Sequence, residues 1–194
     1  MRVKEGNKEK DILDAAIKVF AKEGYHGAKM AKIAEVANVS IGTLYLYYVN
    51  KEDLLFKVFE NLWKKLYQEV ELLANRQDLS VNDKLDYLID LFFDNFSNNP
   101  DLAMVFVHEQ HHVMRNAETE VMYYHDFMSK AELIIQEGIK NKSINPNLNV
   151  KVLRFYILGG IRLLLEIWAR EPRIVPLSAI RINVKTFIKK GIQN

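Results

Sequence analysis

Apolar residues recur at helical spacing along almost the whole chain, which predicts an α-helical protein. The N-terminal part contains two apolar stripes. The second, over residues 30–37, is followed by Asn38, a residue that tolerates the left-handed backbone of a tight turn. Ser40 then offers an N-cap for a short third helix, and Asn50 offers one for a long fourth helix. The first stripe, which stops at Gly24, consists of Ile12, Ala16, Val19 and Phe20.

Longer helices are predicted beyond residue 75. They cover approximately residues 80–96, the segment around HEQHH, and residues 118–142, 150–169 and 177–192. Pro100, Pro146 and Pro172 separate them, since proline does not continue a helix interior. Alternation typical of strands is found nowhere, and there is no internal repeat. The pattern therefore predicts an all-α fold of about nine helices, with three short helices first.

Composition narrows the class of protein without identifying a function. Apolar residues make up 49% of the chain and charged residues 27%, as in an ordinary globular protein with a real core. The formal charge of +2 indicates no polyanion partner by itself, so any basic patch must be local. The absence of cysteine excludes disulfides and thiolate metal sites. The N-terminus is too charged for a secretory signal and no apolar run reaches the roughly 20 residues of a membrane span, so we expect a cytoplasmic protein without membrane contact.

The first three predicted helices outline a helix-turn-helix, in which the last helix enters the major groove of DNA. Gly42 removes a side chain where that helix must approach DNA closely. Thr43, Tyr45 and Tyr47 offer hydroxyl groups and ring faces to phosphates and bases. Lys51 falls in the first turn of the fourth helix, where a cation opposes the helix dipole and a docked phosphate would reverse that penalty.

Over residues 15–55, AAIKVFAKEGYHGAKMAKIAEVANVSIGTLYLYYVNKEDLL, the chain resembles the N-terminal domain of the TetR family of bacterial transcriptional regulators. The matching positions are Phe20, Gly24-Tyr25, Ile33-Ala34, Ala37, Val39-Ser40, Gly42 to Tyr45, Tyr47-Tyr48 and Lys51-Glu52. The resemblance implies a DNA-binding domain over residues 1–52 and a helical ligand-binding and dimerisation domain over residues 53–194. It also implies a homodimer that represses from a palindromic operator and uses no cofactor. The predicted DNA contacts are Lys29, Lys32, Ser40, Ile41, Gly42, Thr43, Tyr45, Leu46, Tyr47 and Lys51.

Two positions depart from the family pattern. Ala28 stands where the family has a threonine or serine that caps the second helix or touches phosphate. One expected contact with the DNA backbone is therefore missing. Asn38 stands at the family's turn glycine, a mild change because asparagine also tolerates the left-handed conformation.

The C-terminal region resembles the FadR-type branch of the family in residues 101–109, 137–147 and 158–168. That branch senses long-chain acyl-CoA, so the resemblance implies a small hydrophobic effector of this kind. The region mixes aromatic residues, Phe155 and Tyr156 among them, with pliable methionines that suit an apolar tunnel, although aromatic stripes are more often core. The predicted effector contacts are Trp63, Tyr67, Phe96, Met104, His108, Tyr124, Phe127 and Met128.

The last two helices are predicted to form the dimer interface. Glycines in the eighth helix would let another helix approach closely. The predicted interface residues are Gly159, Gly160, Leu163, Ile167, Val184, Phe187 and Ile188. Within the same apolar helix, Glu166 follows Arg162 by one turn, a spacing that favours a structural salt bridge over a ligand contact.

The segment HEQHH, residues 108–112, matches the H-E-x-x-H pattern of zinc proteases and defines the alternative function, a small helical metalloenzyme. On a helix His108 and His112 would share a face, with Glu109 as the base and Glu132 as a third ligand. However, a chain without predicted strands has no sheet edge to hold a peptide substrate. Phosphate loops and nucleophile elbows are also absent. We therefore predict no catalytic residue and no metal site, and expect these histidines to face a pocket, water or the fourth helix.

Overall fold

The computed structural model describes residues 8–115 and 122–193, apart from the side chains of His112, Met114 and Arg115. Within these ranges the chain forms nine α-helices and no strand, which confirms the predicted fold class. None of these helices is long and apolar enough to cross a membrane. The predicted start of the seventh helix, near residue 118, lies outside the described residues. The helices are α1 (Lys8–Gly27), α2 (Met30–Val36), α3 (Ile41–Tyr47), α4 (Lys51–Ala74), α5 (Val81–Asp94), α6 (Pro100–Arg115), α7 (Met122–Lys140), α8 (Val150–Arg170) and α9 (Leu177–Ile192).

Polar side chains begin the helices where the sequence predicts them to begin. The Ser40 hydroxyl accepts a hydrogen bond from the Thr43 N–H of α3, and the Asn50 side-chain carbonyl accepts one from the Asp53 N–H of α4. Ser80 and Asp83 form a reciprocal capping box at the start of α5. Asn38, in the turn between α2 and α3, has φ 55°, the left-handed conformation that its position requires.

The described chain divides into two compact units. The first lies within the ranges Met1–Asn61 and Asp101–Val121, and the second within Leu62–Pro100 and Met122–Asn194. The first unit therefore contains most of α6 as well as the three N-terminal helices. The chain passes from one unit to the other within α4 and at the start of α6.

In the first unit α2 packs against both α1 and α3. The buried side chains that join these helices include Ile12, Ala16, Phe20, Ile33, Ala34 and Leu44. Near its end α1 is broken at Gly24, whose φ of 67° and ψ of 167° belong to a region essentially restricted to glycine. The last turn of α1, after this break, leads directly to α2.

In the second unit α5 packs against α7 and α9, and α8 packs against α9. Gly138 of α7 is a point of close approach: a Cβ there would lie 2.5 Å from the Ile144 side chain and 3.0 Å from that of Val81. Lys84 follows Val81 by three residues on α5, and its buried side chain pairs with Glu137 at 2.7 Å. Glycine is therefore needed at residue 138 by the packing of this unit.

Candidate nucleic-acid interface and interior cavity

The third helix has one buried side and one exposed side. Leu44 is fully buried, whereas Leu46 is 85% exposed and Ile41, Tyr45 and Tyr47 are also exposed. Contiguous exposed apolar side chains often mark an interaction site, so this apolar and aromatic face of α3 is a candidate contact surface.

Hydroxyl groups and a glycine complete the N-terminal end of this face. The Ser40 and Thr43 hydroxyls are 2.8 Å apart and share a hydrogen bond. A Cβ at Gly42 would meet only the Ser40 Oγ, at 3.8 Å, which is an ordinary contact. Nothing within the described chain therefore requires glycine at residue 42. The close approach to DNA that the sequence predicts at this residue stays a prediction.

Two of the predicted cationic contacts flank this face from α2. Lys29 is exposed at the N-cap position and makes no side-chain cap hydrogen bond. The Lys32 ammonium donates to Glu35 at 2.8 Å, and this hydrogen bond raises the Lys32 pKa. Both side chains are solvent-accessible, so both can reach an anionic surface.

The third predicted cation, Lys51, is engaged inside the first unit. Its ammonium donates to the carbonyl oxygens of Tyr25 at 2.7 Å, His26 at 3.2 Å and Ala28 at 3.3 Å. It also lies 4.6 Å from the centroid of the Tyr25 ring, a cation–π contact. An ammonium has three N–H donors, so these carbonyls match its full donor capacity.

The HEQHH segment lies on α6, and its glutamate makes a contact within the first unit. Glu109 accepts a hydrogen bond from the Tyr25 amide at 3.0 Å, while His108 and His111 are exposed. The side chain of His112 lies outside the described residues. Glu132, the candidate third ligand, accepts instead from Arg154 at 2.8 Å. Among the described residues no group of three or more potential ligands could hold a metal ion.

An apolar cavity of about 90 Å³, partly open to the surface, lies among α5, α7, α8 and α9, entirely within the second unit. The surface that faces it is apolar. Its walls come from Leu85, Leu88, Ile89, Phe92, Phe127, Met128, Ala131, Glu132, Ile135, Arg154, Ile157, Leu158, Ile161 and Ile188.

Only Phe127 and Met128 of the eight predicted effector contacts line this cavity. Trp63 is fully buried and packs edge-on against Tyr124, with ring centroids 4.9 Å apart, and against Phe127 at 5.5 Å. Phe96 is buried against Phe92, which is a wall residue. These aromatics therefore support the wall from behind.

The remaining candidates lie elsewhere. The Tyr67 hydroxyl donates to Glu71 at 2.7 Å, which raises the Tyr67 pKa to about 12. Met104 and His108 belong to the first unit. Phe155 and Tyr156 do not line a tunnel, because they are 65% and 81% exposed.

The residues that sequence reasoning missed are aliphatic. Most of the cavity wall consists of leucine, isoleucine and alanine, for example at 85, 88 and 89 on α5. Their helical spacing was the available signal, but it equally predicts ordinary core packing.

The α8 and α9 surface contains a second exposed apolar face. Leu163 and Phe187 are exposed, and a Cβ at Gly159 or Gly160 would meet nothing within 4 Å. In contrast, Val184 is buried within its own chain and Ile188 lines the cavity, so these two predicted interface residues serve the packing of a single chain. Four other exposed residues of α8 and α9 were not among the predicted interface residues: Val152, Phe155, Tyr156 and Ile182.

The two arginines of α8 have different surroundings. Arg154 pairs with Glu132 of α7. Burial lowers the pKa of Arg162, which is partly enclosed. Glu166 pairs with Arg170 at 2.9 Å, and the Arg162–Glu166 pair stays a prediction.

Comparison with known proteins accounts for both parts of the chain. Residues 12–58 match the family model of bacterial regulatory proteins of the tetR family, and residues 59–191 match that of the C-terminal region of YsiA-like protein. The fatty acid metabolism regulator protein of Bacillus subtilis is 29% identical over 188 residues, covering 94% of each chain.

Solved structures give the same assignment. The fatty acid degradation regulator FadR of Bacillus halodurans has a TM-score of 0.80 at 27% identity and covers 97% of this chain and 98% of its own. FadR of Bacillus subtilis, solved in complex with stearoyl-CoA, has a TM-score of 0.78 at 28% identity and covers 95% of this chain and 99% of its own. These relatives are transcriptional regulators, and none of them supports the metalloenzyme alternative. The predicted likeness to the TetR family and its FadR-type branch is thus confirmed, and this chain belongs to the TetR family of DNA-binding bacterial transcriptional regulators.

Proposed function

We propose that this regulator is a repressor that leaves a palindromic operator when a long-chain acyl-CoA, or a similar amphipathic molecule, binds its second unit. The observation that carries the proposal is the apolar cavity among α5, α7, α8 and α9. A concave site with an apolar surface suits the hydrocarbon part of a ligand. The similarity to a FadR solved with stearoyl-CoA supports an acyl chain as that part. As a DNA-bound regulator the protein would act in the cytoplasm.

The size of the cavity explains how such a ligand would act. Its volume is about 90 Å³, whereas an apolar cavity of about 150 Å³ holds benzene. A long acyl chain is larger still, so the part of it that enters this cavity would move the four surrounding helices apart, and the rest would extend through the open side. Such an effector binds the expanded conformation more tightly than the contracted one, which is the difference in affinity that shifts a conformational equilibrium.

A homodimer would be formed through the exposed face of α8 and α9. Leu163, Ile167 and Phe187 lie on that face, and Gly159 and Gly160 leave it open to close approach. A second copy of the chain is the occupant we propose, because an isologous dimer lets two identical heads read the two halves of a palindrome.

The first unit would contact the operator through α2 and α3. The contacts we propose are Lys29, Lys32, Ser40, Ile41, Gly42, Thr43, Tyr45, Leu46 and Tyr47. The exposed side of α3 and the glycine that no neighbour requires support this assignment. Lys51 is considered separately below, because its ammonium is hydrogen-bonded within the chain.

The test begins with selection of high-affinity duplexes from a random pool. Release of the selected duplex is then measured with octanoyl-, palmitoyl- and stearoyl-CoA and with free CoA as the control. We expect release by the two long chains only. If stearoyl-CoA binds the protein and leaves the operator complex intact, the effector assignment is wrong, whereas failure to select any duplex would contradict the operator contacts. Transcription from a promoter that contains the selected site should fall when the protein is added and recover with stearoyl-CoA.

A further inference from the structure

The backbone of Tyr25 is held at its N–H and at its carbonyl by side chains from two different helices. On one side its N–H donates to the Glu109 carboxylate of α6, at 3.0 Å. On the other side its carbonyl oxygen accepts from the Lys51 ammonium of α4, at 2.7 Å. All three residues belong to the first unit.

The break at Gly24 explains why the Tyr25 N–H needs an acceptor outside α1. Its φ of 67° and ψ of 167° interrupt α1 immediately before Tyr25. A backbone N–H after such an interruption is not aligned with the preceding helical turn and must find another acceptor if it is enclosed. Tyr25 is buried, and the Glu109 oxygen also lies only 3.7 Å from where a Cβ on Gly24 would be.

Lys51 extends the hold to the start of α2. Besides Tyr25 it binds the carbonyls of His26 and Ala28, which are among the last peptides before α2 begins at Met30. Ala28 is buried, so this short segment is fixed at both ends. The position of α2 relative to α4 and α6 within the first unit therefore depends on the Glu109 and Lys51 contacts.

We propose that Glu109 and Lys51 are positioning residues. Together they hold the Tyr25 N–H and carbonyl, an arrangement that we call the clamp, and thereby orient the α2–α3 pair for the major groove. Lys51 acts through backbone carbonyls instead of a DNA phosphate, and Glu109 acts as a hydrogen-bond acceptor instead of a zinc-protease base. This inference rests on the proposal that α2 and α3 contact the operator. It concerns how they are held, not which atoms they touch.

Salt dependence separates the two roles open to Lys51. Each phosphate contact contributes about 0.9 to the slope of log K against log salt concentration. We expect Lys51→Ala to weaken binding to the selected duplex at least tenfold and to leave that slope unchanged. A slope that becomes shallower by about one unit would show a phosphate contact and overturn the clamp. Lys29→Ala provides the comparison, since an accessible cation that touches phosphate should flatten the slope.

The Glu109 half of the clamp is tested with variants that differ in acceptor capacity. Glu109→Ala removes the acceptor and should weaken binding to the selected duplex at least tenfold. Glu109→Gln keeps a carbonyl oxygen within reach of the Tyr25 amide and should bind nearly as the parent does. Glu109→Asp, whose carboxylate is set back by one methylene, should lie between them, and it serves if the alanine variant fails to fold. His111→Ala, at an exposed position of the same helix, is the matched control and should bind like the parent.

Hydrogen exchange reads the contact without DNA. In a peptide that contains residues 25–28, exchange should be faster than in the parent for Glu109→Ala and close to the parent for Glu109→Gln. Because the two side chains hold the backbone of the same residue, the double variant Lys51→Ala with Glu109→Ala should lose little more operator affinity than the single variant that binds less tightly. Parental exchange and parental operator affinity in Glu109→Ala would overturn the proposal, and so would full additivity of the two losses. Failure of the α3 variants to affect DNA binding would instead contradict the operator contacts.

Discussion

Inside each of its two units, this regulator is held together by a different kind of contact. In the first unit specific polar contacts fix short helices: the caps at Ser40 and Asn50, and the Lys51 and Glu109 hydrogen bonds at Tyr25. In the second unit long helices pack through aliphatic side chains around a small cavity. A short polar contact tolerates little displacement, whereas apolar packing is non-directional.

Ion pairs on the second unit do not change that picture. Along the α5–α9 contact, Asp86 pairs with Lys189, and Asp90 pairs with both Arg181 and Lys185. These side chains are partly exposed, and such pairs contribute little free energy individually. They join α5 to α9 alongside the apolar packing. A first unit fixed by polar contacts and a second unit packed by apolar ones would suit the two tasks that we propose, DNA binding and ligand binding.

The largest effect is expected where the second unit would meet its copy. Leu163→Glu places a charge on the exposed face of α8, where a single chain tolerates it and the dimer would bury it without a partner. An unpaired buried charge costs about 3–5 kcal/mol, so dimerisation should weaken by at least two orders of magnitude. Sedimentation velocity should show a folded monomer with greatly reduced operator affinity.

The control for this variant is Gln136→Glu, which adds the same charge at an exposed position of α7. It should remain dimeric and bind the operator. A parent protein that is already monomeric at micromolar concentration would contradict the proposed interface.

A smaller effect is expected at the buried charge of the second unit. Glu137→Ala leaves the Lys84 ammonium, whose side chain is only 3% exposed, without its ion-pair partner. Because Glu137 is itself partly exposed, we expect a loss of about 1–3 kcal/mol in the free energy of unfolding. The melting temperature should fall by several degrees in calorimetry.

Lys84→Met is the comparison, because it removes the buried charge together with the pair. It should destabilise the protein less than Glu137→Ala does, since a buried pair that is replaced by an apolar side chain often costs little. The reverse order would show that Lys84 stabilises the fold through contacts other than Glu137.

Filling the cavity should affect sensing and spare DNA reading. Ala131→Leu adds apolar volume to the α7 wall, at a place where an effector's hydrocarbon would otherwise lie. If the added side chain displaces about two methylene groups, binding weakens by about 1.6 kcal/mol, or roughly fifteenfold. The concentration of stearoyl-CoA that releases half of the operator should rise accordingly, with operator affinity unchanged when no effector is present.

Leu133→Ala is the matched change on an exposed part of the same helix, and it should leave both quantities as they are. An equal shift in Leu133→Ala and Ala131→Leu would place the effector outside the cavity.

The two units also differed in how far sequence reasoning could describe them. Ser40, Asn50 and Asn38 were identified correctly, because a cap or a left-handed turn depends on a few neighbouring residues. The Glu109–Tyr25 contact joins residues that are 84 positions apart, so no local pattern indicates it. The helix expected around HEQHH is present as α6, but the partner of Glu109 was fixed only by the fold.

The cavity shows the same limit in apolar form. Helical spacing predicted the stripes of α5, α7 and α8, and the structure shows which of them face one another. Phe155 and Tyr156 have the same apolar character as Phe127, yet they are exposed and Phe127 is buried. Side-chain type does not distinguish a wall, a core and an interface, because all three favour apolar residues.

The smallest effect concerns the bases that α3 would distinguish in the operator. Residues 41–47, IGTLYLY, contain none of the arginine, lysine, asparagine or glutamine side chains that make bidentate contacts to guanine or adenine. Leu46 is 85% exposed and is therefore available to the C5-methyl group of thymine, the apolar group of the major groove.

Thymine-to-deoxyuridine substitution tests this contact one methyl group at a time. Loss of one methyl contact costs about 0.8 kcal/mol, so a single substitution at a contacted position should weaken binding roughly fourfold in fluorescence anisotropy. Leu46→Ala should bind the unmodified duplex more weakly and should no longer respond to that substitution, because the partner of the methyl group is gone. If Leu46→Ala loses the same fourfold on substitution, the methyl group is read by a different side chain. If no thymine position matters in the parent, α3 distinguishes operators through DNA shape, which would make the geometry held at Tyr25 the main source of specificity.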